Sequence, residues 1–366
     1  MNKSILNLVA VAVLSTLATQ ANASIYHFTE LAMPNGTGSD ANAINNLGQI
    51  AGSVYDNDGS LHATIWSNST VTDLGQGVGS SLNNLGQVAG SYYAENASHA
   101  VMWSGGLVTN LGVPLAGVST LASGISNSGQ VIGYAGSNNG NIHATIWDGS
   151  TTTDLGTLGG SGSIATSINN LGQIVGSSDT LGMAATHATL WNGLIATDLG
   201  TLGGINSWGL AINDSAQVVG YSVISGNSGV HAALWNGTAA TDLGTLGGTF
   251  SQAHAINNIG QVVGWASTAG YDAQHATLWS NGVASDLNSF LDDATINAGW
   301  VLVEANGIND SGWIVGSASN SGLGISRQAF LLSVTPVPEP ENYAMLLTGL
   351  GVLGFLVRRR RINKSD

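Results

Sequence analysis

Cysteine is absent from all 366 residues of the chain. Disulfide bonds, thiol catalysis and thiolate metal sites are therefore excluded, and the fold has to be held by its core and its hydrogen bonds. Proline is scarce as well, at 5 residues, whereas glycine reaches 52. So little proline excludes collagen, and the 43% of hydrophobic residues argues against a disordered chain. This composition favours short strands joined by tight turns.

Basic residues are the second shortage, with seven Lys and Arg against 21 Asp and Glu and a net charge of −14. Between Ser24 and Pro336 the chain has one basic residue, Arg327. Such a body cannot attract phosphate backbones, which excludes nucleic acid as a partner. Anionic membrane surfaces and acidic polysaccharides would be repelled in the same way unless a metal ion bridged them.

The N-terminus has the features of a secretory signal peptide. Lys3 is followed by a mostly apolar run over Ile5–Leu17 and then by Ala21-Asn22-Ala23. A basic start, an apolar run too short to span easily and small residues before the cleavage point are typical of such leaders. We expect a signal helix over residues 1–23, passage through the secretion translocon and cleavage after Ala23. A buried N-terminal helix is the alternative.

The C-terminus, residues 335–366, carries a second targeting segment. An apolar run over Tyr343–Val357 is shorter than the roughly 20 residues that span a bilayer comfortably. The arginines behind it would hold that end in the cytoplasm, which predicts a short transmembrane helix in the inner membrane with the body outside. These arginines are Arg358, Arg359, Arg360 and Arg361.

The same segment resembles a PEP-CTERM sorting tail. The resemblance rests on Val337, Pro338, Glu339 and Pro340, followed by the apolar segment and the arginine cluster. It implies recognition by an exosortase, transfer to the cell surface or extracellular space, and an association with exopolysaccharide and biofilm. A plain membrane anchor is the alternative.

Residues 24–334 are a repeat with a period of about 43 residues. One block reads His-Ala-Thr-Leu-Trp at His187 and His275, with a degenerate seventh copy at Gln328. A Thr-Asp-Leu-Gly block follows, and then Ile-Asn-Asn-x-Gly-Gln-Val-Val-Gly. The apolar segments are short and β-branched or aromatic, and Asn-Asn-x-Gly is typical of a tight hairpin. The unit length is that of a propeller blade.

The phase of the repeat favours a closed ring. The mature chain opens on Phe28-Thr29-Glu30-Leu31, which fits the Thr-Asp-Leu position, and the body ends with the Gln328 block. Seven whole units result, and a shared first and last blade would leave no free edge. We therefore expect an all-β, seven-bladed β-propeller, with an open β-solenoid as the alternative. The blocks also resemble HAF repeats, which implies an extracellular repeat protein without an established chemistry.

Three residue types recur in register and are candidates for a site. Six histidines could form a metal-binding ring, but equivalent positions on different blades are too far apart to reach one ion, so a structural role beside the tryptophan is favoured. The aspartates are expected to bind turn amides rather than to catalyse, and the tryptophans to pack between blades. The histidines are His62, His99, His143, His187, His231 and His275. The aspartates are Asp73, Asp154, Asp198, Asp242 and Asp286, and the tryptophans are Trp66, Trp103, Trp147, Trp191, Trp235 and Trp279.

Other candidates do not repeat. Asp56-Asn57-Asp58-Gly59 has the alternating oxygens of a calcium loop without its final glutamate, so an ordinary turn is favoured over a surface calcium ion. Asn309-Asp310-Ser311-Gly312-Trp313 resembles the Asp-box of sialidase propellers but is the seventh hairpin block. Four tryptophans outside the repeat are candidates for a binding face, although core packing is favoured. They are Trp208, Trp265, Trp300 and Trp313.

No catalytic residue, metal site or cofactor is predicted, because nucleophile, phosphate-loop and zinc-protease motifs are absent. The favoured hypothesis is a non-enzymatic surface or matrix protein whose propeller binds glycan, such as extracellular polysaccharide, or protein. The alternative is an extracellular propeller enzyme acting on carbohydrate. It would draw on the non-repeating residues of the seventh unit, namely Asp292, Asp293, Trp300, Glu304 and Arg327.

Overall fold

The computed structural model describes residues 25–335, except 35, 69, 113–118, 137–139 and 272. The chain falls into two compact bodies, His27–Ser333 and a second that joins Met1–Tyr26 with Val334–Asp366. Almost all of the second body, including the predicted signal helix and transmembrane helix, lies outside the described residues. None of the helices among the described residues is long and apolar enough to cross a membrane.

The larger body is all-β, as predicted, with 28 strands in the described residues. They form five sheets of four strands and one sheet of eight. The sheet of eight consists of two halves of four strands, which the single parallel pair Val230 and Phe250 connects. We call each set of four strands a module and number the modules along the chain.

The first strand, β1, spans Ile25–Glu30 and belongs to module 7. Module 1 consists of β2 (Gly38–Ile44), β3 (Ile50–Tyr55), β4 (Leu61–Ser67) and β5 (Thr70–Gln76). Module 2 consists of β6 (Val78–Leu82), β7 (Val88–Ala94), β8 (Ala97–Ser104) and β9 (Leu107–Asn110). Module 3 consists of β10 (Thr120–Ile125), β11 (Val131–Gly136), β12 (Ile142–Asp148) and β13 (Thr151–Asp154). Module 4 consists of β14 (Gly159–Ile168), β15 (Gln173–Thr180), β16 (Thr186–Asn192) and β17 (Ile195–Asp198).

Module 5 consists of β18 (Gly203–Ile212), β19 (Gln217–Ile224), β20 (Val230–Asn236) and β21 (Ala239–Asp242). Module 6 consists of β22 (Gly247–Ile256), β23 (Val262–Thr268), β24 (Gln274–Ser280) and β25 (Val283–Asp286). Module 7 consists of β26 (Val301–Ile308), β27 (Ile314–Asn320), β28 (Ile325–Thr335) and β1. The α-helix of the described residues, α1, spans Asp293–Asn297. The 3-10 helices span Leu181–Met183, Ser225–Asn227, Ala269–Tyr271, Leu287–Phe290 and Ser321–Leu323.

The modules are arranged as a closed ring. The inner strands of the seven modules are β2, β6, β10, β14, β18, β22 and β26. Each inner strand contacts the inner strands of both neighbouring modules, and β2 contacts β26 as well as β6. Module 7 is completed by β1, which pairs with β28, so the two ends of the body share one sheet as the phase of the repeat predicted. Antiparallel sheets set around a ring of inner strands define a β-propeller.

A bulge in every inner strand explains the repeated glycine. The register of β2 shifts between Ala41 and Ala43, and the other six inner strands shift at the same position. A Cβ atom on Gly52, the residue opposite, would overlap the backbone oxygen of Asp40 and crowd the ring of Trp66. Glycine is therefore required there because two strands and an indole approach too closely for any side chain.

The core lies between modules, as expected for a propeller. The six repeated tryptophans are at most 4% exposed. Trp103 of module 2 packs with Ala51 and Ala63 of module 1. Across the closure of the ring, Trp66 packs with Val315 of module 7 in the same way. The prediction that these tryptophans pack between blades is confirmed, so they are not a sugar-stacking surface.

Candidate functional site

The hairpin after each inner strand is held by the side chain of its first asparagine. In module 5, Asn213 Oδ1 accepts hydrogen bonds from the backbone N–H groups of Ser215 and Gln217 at 3.1 and 3.0 Å. Its Nδ2 donates to Gln217 Oε1 at 2.8 Å and to the backbone oxygen of Asn257 in the next module at 3.1 Å. The bond to the next module recurs in six modules, through Asn45, Asn83, Asn169, Asn213, Asn257 and Asn309.

The second residue of the hairpin forms a ring of hydrogen bonds that passes through all seven modules. The backbone N–H of Asn46 donates to Asn84 Oδ1 at 3.1 Å, and the ring closes where the backbone N–H of Asp310 donates to Asn46 Oδ1 at 2.9 Å. Five members are asparagines and two are aspartates. In chain order they are Asn46, Asn84, Asn127, Asn170, Asp214, Asn258 and Asp310.

These hairpins surround a cavity of about 180 Å³ at one end of the central channel. Three consecutive residues from every module line it, the last apolar residue of the inner strand and the two hairpin residues that follow. We call this cavity the asparagine cup. Its exposed surface is mainly polar and carries the ring of carboxamides and carboxylates, while apolar lining residues such as Ile125 are almost buried. Beside the wall, the third hairpin residue is an exposed aliphatic side chain in four modules, namely Leu47, Leu85, Leu171 and Ile259.

The two carboxylates give the cup an acidic wall. Burial disfavours the charged form of Asp310, but hydrogen bonds from the backbone and side chain of Asn258 and from the side chain of Asn46 outweigh it. These bonds hold the pKa of Asp310 below its ordinary value. The side-chain amides of the other ring asparagines each donate to a neighbouring side chain. Asn84 Nδ2 has no acceptor within the described part of the chain, so it is free to donate to a ligand.

The repeated histidines and aspartates form pairs on the outer strands. In module 4, His187 Nδ1 donates to Asp198 at 2.8 Å, and Asp198 Oδ1 accepts the backbone N–H of Gly200 at 2.8 Å. The expected binding of turn amides by the aspartates is confirmed, while their pairing with histidine was missed. Equivalent pairs join His62 to Asp73, His143 to Asp154, His231 to Asp242 and His275 to Asp286. His99 differs, because it stacks on Tyr92 with ring centroids 5.2 Å apart.

A second cluster of charged residues lies where module 7 meets module 1, and we call it the seam cluster. Arg327 forms an ion pair with Asp40 and lies 3.8 Å from Glu304. Tyr55 donates its hydroxyl to Asp40 at 3.3 Å, and His254 Nδ1 lies 3.3 Å from Glu304 Oε1. Asp40 and Glu304 occupy the same position in their modules, and His254 reaches the cluster from module 6. Sequence reasoning named Arg327 and Glu304 and missed the other three.

Burial and the neighbouring charges have opposite effects on the pKa values of His254 and Arg327. Burial lowers the pKa of His254, although the Glu304 carboxylate and the hydrogen bond with Asn306 oppose the shift. Burial also disfavours the charged form of Arg327, but Asp40 and Glu304 outweigh it and raise the pKa of the guanidinium. Arg327 thus stays charged and the histidine is held neutral.

The remaining residues of the seventh unit do not join this cluster. Asp292 caps α1, where its Oδ1 accepts the backbone N–H of Thr295 at 2.7 Å. Trp300 is buried against Phe28, with ring centroids 5.7 Å apart. Trp208 stacks on Tyr221 at 4.8 Å. Trp208 and Trp300 are therefore engaged in separate aromatic contacts rather than gathered on one face.

The acidic loop between β3 and β4 holds its own backbone. Asp56 Oδ1 accepts from the N–H groups of Asp58 and Ser60 at 3.2 and 3.0 Å. Hydrogen bonds from the side chains of Ser60 and Asp56 and the backbone of Ser60 lower the pKa of Asp58 to about 2. Among the described residues, no group of three or more His, Cys, Asp or Glu is placed to hold a metal ion. The favoured interpretation of this loop as an ordinary turn agrees with this geometry.

The predicted targeting residues of both terminal segments lie outside the described part of the chain. The comparison with protein families matches the C-terminal one. Residues 336–361 match the model of the PEP-CTERM protein-sorting motif. This match includes the predicted motif from Val337 to Pro340 and the arginine cluster. It confirms the sorting signal, which implies an exported protein that transits the membrane and is recognised by an exosortase-type enzyme. The comparisons give no support to the resemblance to HAF repeats.

Solved structures resemble the chain only distantly. TolB from Acinetobacter baumannii has 11% identity and a TM-score of 0.46 over 80% of this chain, which spans 64% of the TolB chain. AofleA from Arthrobotrys oligospora has 14% identity and a TM-score of 0.38 over 71% of this chain and 87% of its own. A six-bladed propeller lectin from Aleuria aurantia has 13% identity and a TM-score of 0.36 over 85% and 99%. The comparison with curated proteins found no match. We take no ligand or activity from these likenesses.

Proposed function

We propose that this protein is an exported, non-enzymatic β-propeller of seven blades that binds a glycan or another protein at the cell surface or in the extracellular matrix. Each module is then one blade, since seven inner strands follow one another around the ring. The observation that carries the binding role is the asparagine cup. It is a cavity of about 180 Å³ to which every module contributes the same hairpin, and it offers a ring of hydrogen-bonding groups.

Export supports this role. In the proposed route, the translocon exports the chain, a signal peptidase cleaves after Ala23, and the arginines after Val357 pause the chain in the inner membrane until an exosortase acts on its motif. A Glu339→Gln variant tests the route. We expect it to remain in the membrane fraction while the wild type reaches the cell surface or the medium. Equal distribution of the two proteins would contradict the proposed role of the motif.

A binding screen tests the function itself. The exported protein, purified from the producing cells, is presented to a glycan array and to extracellular-matrix polysaccharide, with calcium and with a chelator. We expect saturable binding that survives chelation, because the carboxylates of the acidic loop already hold backbone amides. Hydrolysis of any polymer in the same samples, without stable binding, would contradict a non-enzymatic role.

The seam cluster favours a second candidate, an extracellular enzyme acting on carbohydrate. Two carboxylates and a histidine lie together there, as a hydrolase would require. Arg327, however, forms an ion pair with Asp40 and lies 3.8 Å from Glu304, so both carboxylates already have a cation beside them. A Glu304→Gln variant decides between the two, because it would abolish hydrolysis by an enzyme and leave binding by a scaffold intact.

A further inference from the structure

The lining of the asparagine cup is mainly polar. Every module contributes two hairpin residues to it, and polar atoms make up most of its exposed surface, whereas lining isoleucines such as Ile308 are almost buried. The aliphatic side chains of the next hairpin residue, including Leu47 and Leu171, are exposed. A belt of hydrogen-bonding groups suits a ligand that carries several hydroxyl groups, as a sugar ring does.

The charges around the cup exclude an anionic ligand. Its wall carries Asp214 and Asp310. Among the described residues the one Arg or Lys is Arg327, which lies at the seam cluster and already pairs with Asp40 and Glu304. A carboxylate or sulfate on the ligand would meet two anions and no available cation, so an anionic ligand is excluded.

The size of the cup limits the ligand further. Pockets for drug-sized ligands start at roughly 300 Å³, and the cup, at about 180 Å³, is smaller. This size favours a ligand of about one ring.

We propose that the asparagine cup binds a single neutral, hydroxyl-rich ring such as the terminal hexose of a glycan chain, with Asn84 Nδ2 donating a hydrogen bond to a ligand hydroxyl. This inference rests on the proposed binding function and names the class of ligand. Asn84 is singled out because its Oδ1 serves the ring, by accepting from Asn46, while its amide nitrogen has no acceptor within the described residues.

Methyl glucoside, methyl galactoside and methyl mannoside are the neutral probes, and glucuronate and galacturonate are the acidic ones. Binding to the exported protein is measured by ligand-observed NMR and by calorimetry. At least one neutral glycoside should bind, and both uronates should bind at least tenfold more weakly. An Asn84→Asp variant keeps the acceptor oxygen for Asn46 but removes the free donor and adds a charge. It should weaken binding of the neutral glycoside by about tenfold or more.

The ring itself provides matched controls. Aspartate already occupies the equivalent position in modules 5 and 7, so Asn84→Asp is compatible with the fold, and its thermal unfolding should match the wild type. Asp214→Asn makes the opposite change and should reduce the discrimination against uronates. Asn192→Asp, on the exposed hairpin between β16 and β17, adds the same charge away from the cup and should leave affinity unchanged.

Each result leads to one conclusion. Uronates that bind as tightly as the neutral glycosides, or an Asn84→Asp variant of unchanged affinity, would overturn the proposed ligand class. If the protein binds a polysaccharide or protein but none of the neutral glycosides, this inference fails and the proposed binding function stands. If the protein binds nothing in either screen, both fail together.

Discussion

Replacing Asn213 with alanine tests whether the hairpin asparagines couple neighbouring modules. The side chain is 3% exposed, and the substitution removes four hydrogen bonds at once. Two of them serve the backbone N–H groups of its own hairpin, one orients Gln217, and one reaches the backbone oxygen of Asn257 in module 6. At about 1 kcal/mol net for each bond, we expect a loss of about 3–4 kcal/mol in the free energy of unfolding.

Module 3 supplies the matched control, because serine already occupies the equivalent position. Ser126 Oγ accepts one backbone N–H, from Gln130 at 3.2 Å, and pairs with Ser128 Oγ at 2.8 Å. Among the residues that the structure describes, its side chain makes no hydrogen bond to module 4. Ser126→Ala should therefore cost only about 1 kcal/mol. The difference between the two variants sets an upper limit on the contribution of the bond between modules, because Asn213 also makes one more bond within its own hairpin than Ser126 does.

The assay is urea unfolding followed by tryptophan fluorescence, with wild type and variants at the same pH and salt. The denaturant slope should stay constant, since neither change alters the surface exposed on unfolding much. If Asn213→Ala costs no more than Ser126→Ala, the asparagine does not couple the modules. The cooperativity of the ring would then have to come from the buried tryptophans alone.

Three further predictions concern single positions. Ala216 occupies the glycine place of its hairpin with φ 59°, so Ala216→Gly should relieve strain and raise the free energy of unfolding by about 0.5–1 kcal/mol in the same urea assay. Burial lowers the pKa of His254 below its unfolded value of 6.5, so the unfolded chain binds more protons. The stability that a neutral His254 contributes is complete above about pH 6.5 and is lost as the pH falls towards the folded pKa. Between pH 7 and pH 5, the free energy of unfolding should therefore fall less for His254→Gln than for the wild type. Arg327→Met should cost about 1–2 kcal/mol, less at high salt, because Asp40 then lacks its cation in a partly exposed pair.

The repeat made the strands and the hairpins predictable. Asn-Asn-x-Gly specifies a turn through local backbone preferences, and the structure has Gly48 and Gly172 in the left-handed region at φ 76° and 77°. The use of the first strand to complete the last module was also predictable, since it followed from the phase of the repeat. Both inferences rest on properties of short segments, which a single sequence displays directly.

Contacts between modules were not predictable in the same way. Asn46 and Asp310 are hydrogen-bonded although 264 residues separate them. The sequence of either hairpin does not determine which oxygen faces the neighbouring module, because that depends on the angle between the modules. The pairing of His187 with Asp198 was easier to predict, because each repeated histidine and its aspartate partner are 11 residues apart. That spacing was visible in the sequence, but only the strand register shows that it brings the two side chains together.

The departures from the repeat at the seam follow from how the ring is closed. In modules 1 to 6 the fourth strand follows the third through a short hairpin, whereas in module 7 it is β1, from the opposite end of the body. Closing so long a loop costs more entropy than closing a hairpin, and extra contacts have to offset it. Gln328 Nε2 donates to the backbone oxygen of Leu31 at 2.6 Å, which is why glutamine stands where other modules have histidine. Arg327 and Ser317 meet Asp40 at the same junction. Closure accounts for Arg327, Ser317 and Gln328, so these residues are not evidence for an enzyme. In the cup, Asn84 Nδ2 serves neither closure nor its own hairpin, so the cup is the better place to look for a ligand.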